Sequence, residues 1–351
     1  MKGFASTRGK LLSVAVATLV VAAPVGFSSL TSSASAATET LTGAGSTLVA
    51  PLEAAWASAY QKSTGNSVSY SPVGSGTGIT DITHRSVDFG ASDAPLTPTQ
   101  ASACNGCETI PWALTATGVG YNVPGVKGNL RLTGPVIAQI FLGQITTWNN
   151  SAIKKLNPGV RLPSTQITTV HRSDGSGDTY AFTNYLDHVS SAFLAKIGPP
   201  ATSVSWPGGV AETGNGGVVS EIKATPGAIG YAAVYYLISQ RVYAAAVKNA
   251  AGKYEYPNLN NIANAASTVK SVPSDGVVPI VDPPKKAKIA YPISTFTYAV
   301  VPTSNEANAS LLKQFINFDI TTGQSFGPKL DFVPLPKIIV KADKKQVAGL
   351  S

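Results

Sequence analysis

Three times in this chain a short apolar run breaks into a turn of Gly, Ser and Thr and then into a helical pattern. In the first unit Leu41-Thr42-Gly43-Ala44-Gly45-Ser46-Thr47-Leu48 leads to Pro51, which suits a helix start because its missing N–H costs nothing there. Leu52, Ala55, Trp56, Ala59 and Tyr60 follow at helical spacing. The second unit runs from a strand at Ser67–Tyr70 through Pro72-Val73-Gly74-Ser75-Gly76-Thr77-Gly78 into a helical ITDITHR. The third, VHRSDGSGDTYAFTNYL at Val170–Leu186, follows a strand at Ile167–Val170. It carries Arg172, then Asp174-Gly175-Ser176-Gly177-Asp178, then Tyr180, Phe182, Tyr185 and Leu186 at helical spacing. Between the second and third, Val87–Pro95 (VDFGASDAP) reads as a strand ending in a polar turn at Asp93.

A helix start leaves several backbone N–H groups unpaired and presents the positive end of the dipole. Glycines let an anion approach that backbone, a Ser hydroxyl adds a donor, and Arg172 adds a full charge, which together make an oxyanion seat. Taken alone, Ser176 and Asp178 also fit plain helix capping. Three glycine-rich helix starts are hard to explain as three independent caps. A nucleotide P-loop is excluded because no Gly-Lys-Ser/Thr closes the glycine run, and the G-x-G-x-G spacing is not a dinucleotide fingerprint. Gly214-Asn215-Gly216-Gly217 starts a further helix, for which packing is the expected role.

Of the 351 residues 44% are hydrophobic and 13% charged, so the chain is globular and long enough for two lobes. Lys2, Arg8 and Lys10 precede an apolar Leu11–Ala23, and Ala34-Ser35-Ala36 gives a small-residue cleavage site. Residues 1–37 therefore read as a signal peptide, with the processed chain starting near Ala37 or Thr38. No Cys stands near that site, so no lipid anchor is expected, and no later run is long enough to span a bilayer. Without the three leader cations, 23 Lys and Arg face 18 Asp and Glu, a net charge of +5. That excess suits an anionic ligand. The basic residues are scattered, and Lys285-Lys286-Ala287-Lys288 falls in an expected loop, so nucleic acid is not an expected partner. Cys104 and Cys107 form CNGC, for which a small loop disulfide is the first reading; a redox CxxC would lack its usual strand-to-helix setting. A zinc site would need two more ligands, and His84, His171 and His188 lie elsewhere. No metal or cofactor is expected.

The segments GAGSTLVAP, VGSGTGI, VDFGASDAPL and HRSDGSGDTYAFTNYL, in that order after an export signal, resemble the phosphate-binding proteins of ABC-type phosphate uptake systems. The likeness extends over FLGQITTW at Phe141–Trp148, IKKLNPGVRL at Ile153–Leu162, PGAIGY at Pro226–Tyr231 and LDFVPLP at Leu330–Pro336. It implies an α/β chain of the type II periplasmic-binding-protein fold, with two lobes joined by two crossings and the ligand in the cleft between them. Thr115–Asn122 and Thr295–Val301 are the candidate crossings. They would place 38–113 with 292–351 in lobe I and 114–291 in lobe II, with 271–289 a surface loop.

Carried over residue by residue, the resemblance implies phosphate contacts from Thr47, Leu48, Ser75, Asp93, Arg172, Ser176 and Gly177, with Asp174 holding Arg172 in place. Leu48 stands where an aromatic is common in the family, which a backbone N–H contact survives. Asp93, when ionised, can only accept, so it needs a ligand that still carries a proton; phosphate does at neutral pH and sulfate does not. Asp178 departs from the family, standing where a donating Thr is common. Two readings are open for it: an acceptor for a second ligand proton, or a helix-start residue facing solvent. The resemblance further implies a monomeric receptor, periplasmic or extracellular, that delivers inorganic phosphate to a membrane permease. Its rivals are a secreted scavenger, sensor or surface-interaction protein of the same fold, and a phosphohydrolase, for which no nucleophile or metal motif is recognisable.

Overall fold

A computed structural model describes residues 39–128, 130–303 and 307–351. The expected signal peptide lies outside the described residues. In chain order the strands are β1 (Thr40–Gly45), β2 (Ser67–Ser71), β3 (Phe89–Ser92), β4 (Cys107–Tyr121), β5 (Arg131–Leu132) and β6 (Thr168–Arg172). They continue as β7 (Val210–Glu212), β8 (Ala228–Ala233), β9 (Tyr243–Ala244), β10 (Ala246–Lys248), β11 (Tyr254–Glu255) and β12 (Ser294–Pro302). The helices are α1 (Ala50–Thr64), α2 (Ser75–Thr83), α3 (Pro98–Cys104), α4 (Gly134–Phe141), α5 (Ser151–Leu156) and α6 (Gly177–Val189). After them come α7 (Ser191–Ile197), α8 (Gly214–Ala224), α9 (Val234–Ser239), α10 (Leu259–Ala266), α11 (Ala309–Asp319) and α12 (Lys337–Gly349). Each of the three strand-turn-helix units in the sequence thus folds as one.

The main sheet runs β2-β1-β3-β12-β4-β8-β6-β7, with β9 on β4; β11-β10-β5 form a small second sheet. β1 lies parallel to both β2 and β3, and β6 parallel to both β7 and β8. Parallel strands bury both faces beneath crossover helices, and all four residues of β3 are buried. β4 joins the two parallel groups. Its residues Cys107–Ala116 pair antiparallel with β12, and Thr117–Tyr121 pair with β8. The expected crossing at Thr115–Asn122 is thus the second part of a longer strand. The other expected crossing, Thr295–Val301, lies within β12, whose register shifts between Thr297 and Tyr298.

Two aromatic clusters fill the interior. Trp112 lies 5.3 Å from Trp56 and 5.7 Å from Phe89, ring centre to ring centre. Beyond β4, Phe182 stacks on Tyr231 at 4.5 Å and meets Phe141 edge-on at 4.8 Å. Cys104 and Cys107 are brought together where α3 leads into β4, Cα to Cα 5.6 Å. Lys285, Lys286 and Lys288 lie exposed in an irregular loop, as expected. Among the described residues no helix is long and apolar enough to cross a membrane.

One glycine sets the distance between the first two turns. A Cβ on Gly78 of α2 would fall 2.4 Å from Gly45 Cα and 2.6 Å from the Ala44 carbonyl oxygen. Both obstacles are backbone, so α2 would have to move off β1. Gly78→Ala should lower unfolding stability by about 1–3 kcal/mol, as overpacked cores do. Urea denaturation checks this, and an unchanged midpoint would show that α2 shifts freely.

Candidate functional site

The turns that end β1, β3 and β6, and the start of α2, meet in one buried group. Ser75 begins α2, with Gly74 before it in a positive-φ conformation. Its hydroxyl receives the Gly177 N–H at 3.1 Å and the Asp93 N–H at 3.3 Å, and lies 3.4 Å from Asp93 Oδ2. The Gly76 N–H donates to the Gly175 carbonyl at 2.9 Å. Gly177 could carry no side chain here, since its Cβ would sit 2.4 Å from the Asp93 Cβ. From the first turn, the Ser46 hydroxyl points between the two Asp93 carboxylate oxygens at 2.7 Å, while the Leu48 N–H donates to Ser46 Oγ at 3.0 Å.

Arg172 ends β6 with its guanidinium inside this group. Nε donates to Asp174 Oδ1 at 2.7 Å, Nη2 donates to Asp174 Oδ2, and Nη1 lies 3.4 Å from Asp178 Oδ2. The fork holds the cation in one plane. The Gly214 N–H, at the start of α8, donates to Asp174 Oδ1 at 3.0 Å. Asp178 is fully buried and takes the Thr117 hydroxyl on Oδ1 at 2.7 Å and Asn215 Nδ2 on Oδ2 at 2.7 Å. Asn215 Nδ2 also reaches Thr47 Oγ1 at 2.9 Å, and the Tyr236 hydroxyl donates to the Thr47 carbonyl at 3.0 Å.

Burial is the largest influence on all three carboxyls. It raises Asp93 to about 7, helped by the negative charge of Asp178 and opposed by Ser46, Thr297 and Arg172. It also raises Asp178, against the pull of Arg172, Thr117 and Asn215. Asp174 is pushed up by burial too, but the hydrogen bonds and charge of Arg172, with the Gly214 N–H, outweigh that and leave it below the ordinary carboxyl range. An acceptor of shifted affinity beside a fixed cation is the arrangement expected of a binding site.

The eight positions singled out in the sequence, Thr47, Leu48, Ser75, Asp93, Arg172, Ser176, Gly177 and Asp178, therefore lie together, with Asp174 behind Arg172. Ser176 caps α6, its Oγ accepting the Asp178 and Thr179 N–H groups at 3.1 and 3.4 Å. The solvent-facing reading of Asp178 is wrong, because α6 turns that position toward Thr117 and Asn215 instead of outward. Ser46, Thr117, Asn215 and Tyr236 were not anticipated. Their partners are distant in sequence: Asn215 meets Thr47 across 168 residues. The Gly-Asn-Gly-Gly helix start was the visible signal for Asn215, and Ser46 stands in the first glycine-rich turn. His171 stacks on Trp206 at 5.5 Å, while His84 and His188 are exposed on or beside helices. No group of three or more metal-binding side chains forms among the described residues.

A sheet spanned by long shared strands, with polar turns converging on a buried donor cluster, is the architecture of a periplasmic binding protein. The model of the PBP superfamily domain matches residues 31–321. Curated relatives include the phosphate-binding protein PstS of Xylella fastidiosa strain Temecula1, 38% identical over 86% of this chain and 83% of that protein. Another is PstS of Pasteurella multocida, 34% identical over 88% and 90%. The chain belongs to this phosphate-binding protein family. The fold is also that of a high-affinity periplasmic phosphate-binding protein, PfluDING, solved with bound phosphate: TM-score 0.72 at 22% identity, covering 87% of this chain and 93% of that one. A Clostridium perfringens protein, also solved with bound phosphate, gives 0.62 at 22% over 85% and 100%. These likenesses establish the type II periplasmic-binding-protein fold.

The raised Asp93 carboxyl has a consequence for stability. The folded chain holds that proton between the ordinary value of 3.8 and about 7, so the contribution is complete below the lower value and lost as pH climbs to the upper. Denaturant unfolding of the ligand-free protein across that window should show stability falling with pH, and Asp93→Asn should flatten the fall. An identical slope in the two proteins would mean that Asp93 is ionised throughout.

Proposed function

We propose that this chain is an exported receptor that binds inorganic phosphate between two lobes and delivers it to the permease of an ABC transporter. The observation that carries the reading is the convergence of Thr47, Ser75, Asp93, Arg172, Ser176 and Gly177 on one buried spot. The lobes are 38–113 with 292–351, and 114–291. β4 and β12 serve as the crossings, because β4 pairs with strands of both parts. The family is one of binding proteins, and the chain is assigned no catalytic step. Cys104–Cys107 is a structural disulfide at the edge of lobe I.

Phosphate is costly to dehydrate, so a site must replace its water shell with many short bonds. Thr47, Ser75 and Ser176 offer hydroxyls and Arg172 offers charge, while the Leu48 and Gly177 N–H groups must leave Ser46 Oγ and Ser75 Oγ to reach the anion. The N-terminal ends of α2 and α6 add their dipoles without the desolvation cost of further cations. Asp93 selects. An ionised carboxylate accepts a proton from hydrogen phosphate and repels a fully deprotonated oxyanion. Asp178 supports Arg172 and Asn215 from behind, and remains an acceptor for a second ligand proton.

Calorimetric titration with phosphate, sulfate and arsenate tests the reading. Phosphate should bind, arsenate should bind detectably, and sulfate should be weaker by roughly 10²–10⁴-fold. Asp93→Asn should narrow the phosphate-to-sulfate gap, because an amide can donate to sulfate. Equal affinity for phosphate and sulfate in the native chain would refute the role given to Asp93. Turnover of a chromogenic phosphoester, abolished by Ser176→Ala, would replace the receptor with an enzyme.

A further inference from the structure

Asn215 is fully buried, and the direction of its hydrogen bonds can be read without ambiguity. Its Oδ1 accepts the Ala233 N–H at 2.6 Å. A backbone N–H can only donate, so the oxygen of the amide must face Ala233 and the nitrogen must face the site. That nitrogen has two hydrogens, and two acceptors lie in reach: Asp178 Oδ2 at 2.7 Å and Thr47 Oγ1 at 2.9 Å. The Asn215 N–H approaches the same Thr47 oxygen at 3.4 Å.

The chain of donors continues through Thr47. A hydroxyl that accepts from an amide still has its own proton to give. Thr47 Oγ1 receives from Asn215 on one side, so its O–H is turned away from the amide. We propose that Asn215 is a positioning residue for phosphate: it commits the Thr47 hydroxyl to donate to the ligand and ties that hydroxyl to Asp178. The inference rests on the phosphate-binding reading above and adds a residue to it. Tyr236 supports the same arrangement by donating to the Thr47 carbonyl, which fixes the backbone on which the hydroxyl turns. One amide thus orders donors from the first turn and an acceptor on α6, and neither hydrogen of that amide contacts the anion.

An Asn that merely packed would show independent effects; one that acts through Thr47 would not. Phosphate affinity should be measured for the native protein, Asn215→Ala, Thr47→Val and the double variant. Each single change should weaken binding by about 10- to 100-fold, the worth of one charge-assisted hydrogen bond. The double variant should be no weaker than the poorer single one, because both remove the same donor. Losses that multiply, or an Asn215→Ala protein that binds like the native one, would overturn the proposal while leaving phosphate binding intact. Native protein that ignores phosphate would overturn both readings. If Asn215→Ala does not fold, Asn215→Leu fills the same space and has no hydrogen to give. It should lose at least as much affinity, and unchanged affinity there would equally refute the assignment.

Discussion

Arg172 carries its positive charge where Asp93 and Asp178 are buried and Asp174 is half-buried, and the site depends on how that imbalance is managed. One cation cannot satisfy three carboxylates, and unpaired buried charge is costly. The structure divides the task. Asp174 takes the flat side of the guanidinium through two donors and stays ionised. Asp178 takes its remaining nitrogen and adds Thr117 and Asn215. Asp93 gets only hydroxyls and more distant help, so burial and the neighbouring Asp178 charge raise its proton affinity to about 7. Three carboxyls in one group therefore hold their protons with different strength.

That division requires close approach of backbone from separate parts of the chain, and glycines permit it. Gly78 brings the start of α2 against β1, and Gly177 lets α6 begin beside Asp93. The Ser75 hydroxyl can then receive N–H groups from residues 93 and 177 together. Sheet order does the rest: β1 and β3 end beside one another, and β6 brings Arg172 from the far side of β4.

Much of this was legible because glycine-rich turns after strands leave a strong local mark. Ser75, Asp93 and Arg172 stand in such turns, and the helices after the first and third turns show plain apolar periodicity. What escaped was reciprocal. Asn215 sits in a run that reads as an ordinary helix start, and its importance comes from Thr47 and Asp178, which no local pattern connects to it. Thr117 belongs to a strand buried on both faces, where a single hydroxyl has no periodic signature. The first half of β4, Cys107–Ala113, was missed because Pro111 interrupts it and its residues do not alternate. The orientation of Asp178 depends on how α6 is rotated against β4 and α8, which its own neighbours in sequence do not decide.

β12 lies between β3 and β4, yet it spans Ser294–Pro302 in a chain of 351 residues. A ribosome has made most of the polypeptide before the middle of the sheet can be filled. Until then β3 and the first half of β4 each present an open edge, the kind that recruits strands from other molecules. A fragment ending before residue 294 would thus be no smaller edition of the protein but two incomplete sheets with adhesive borders.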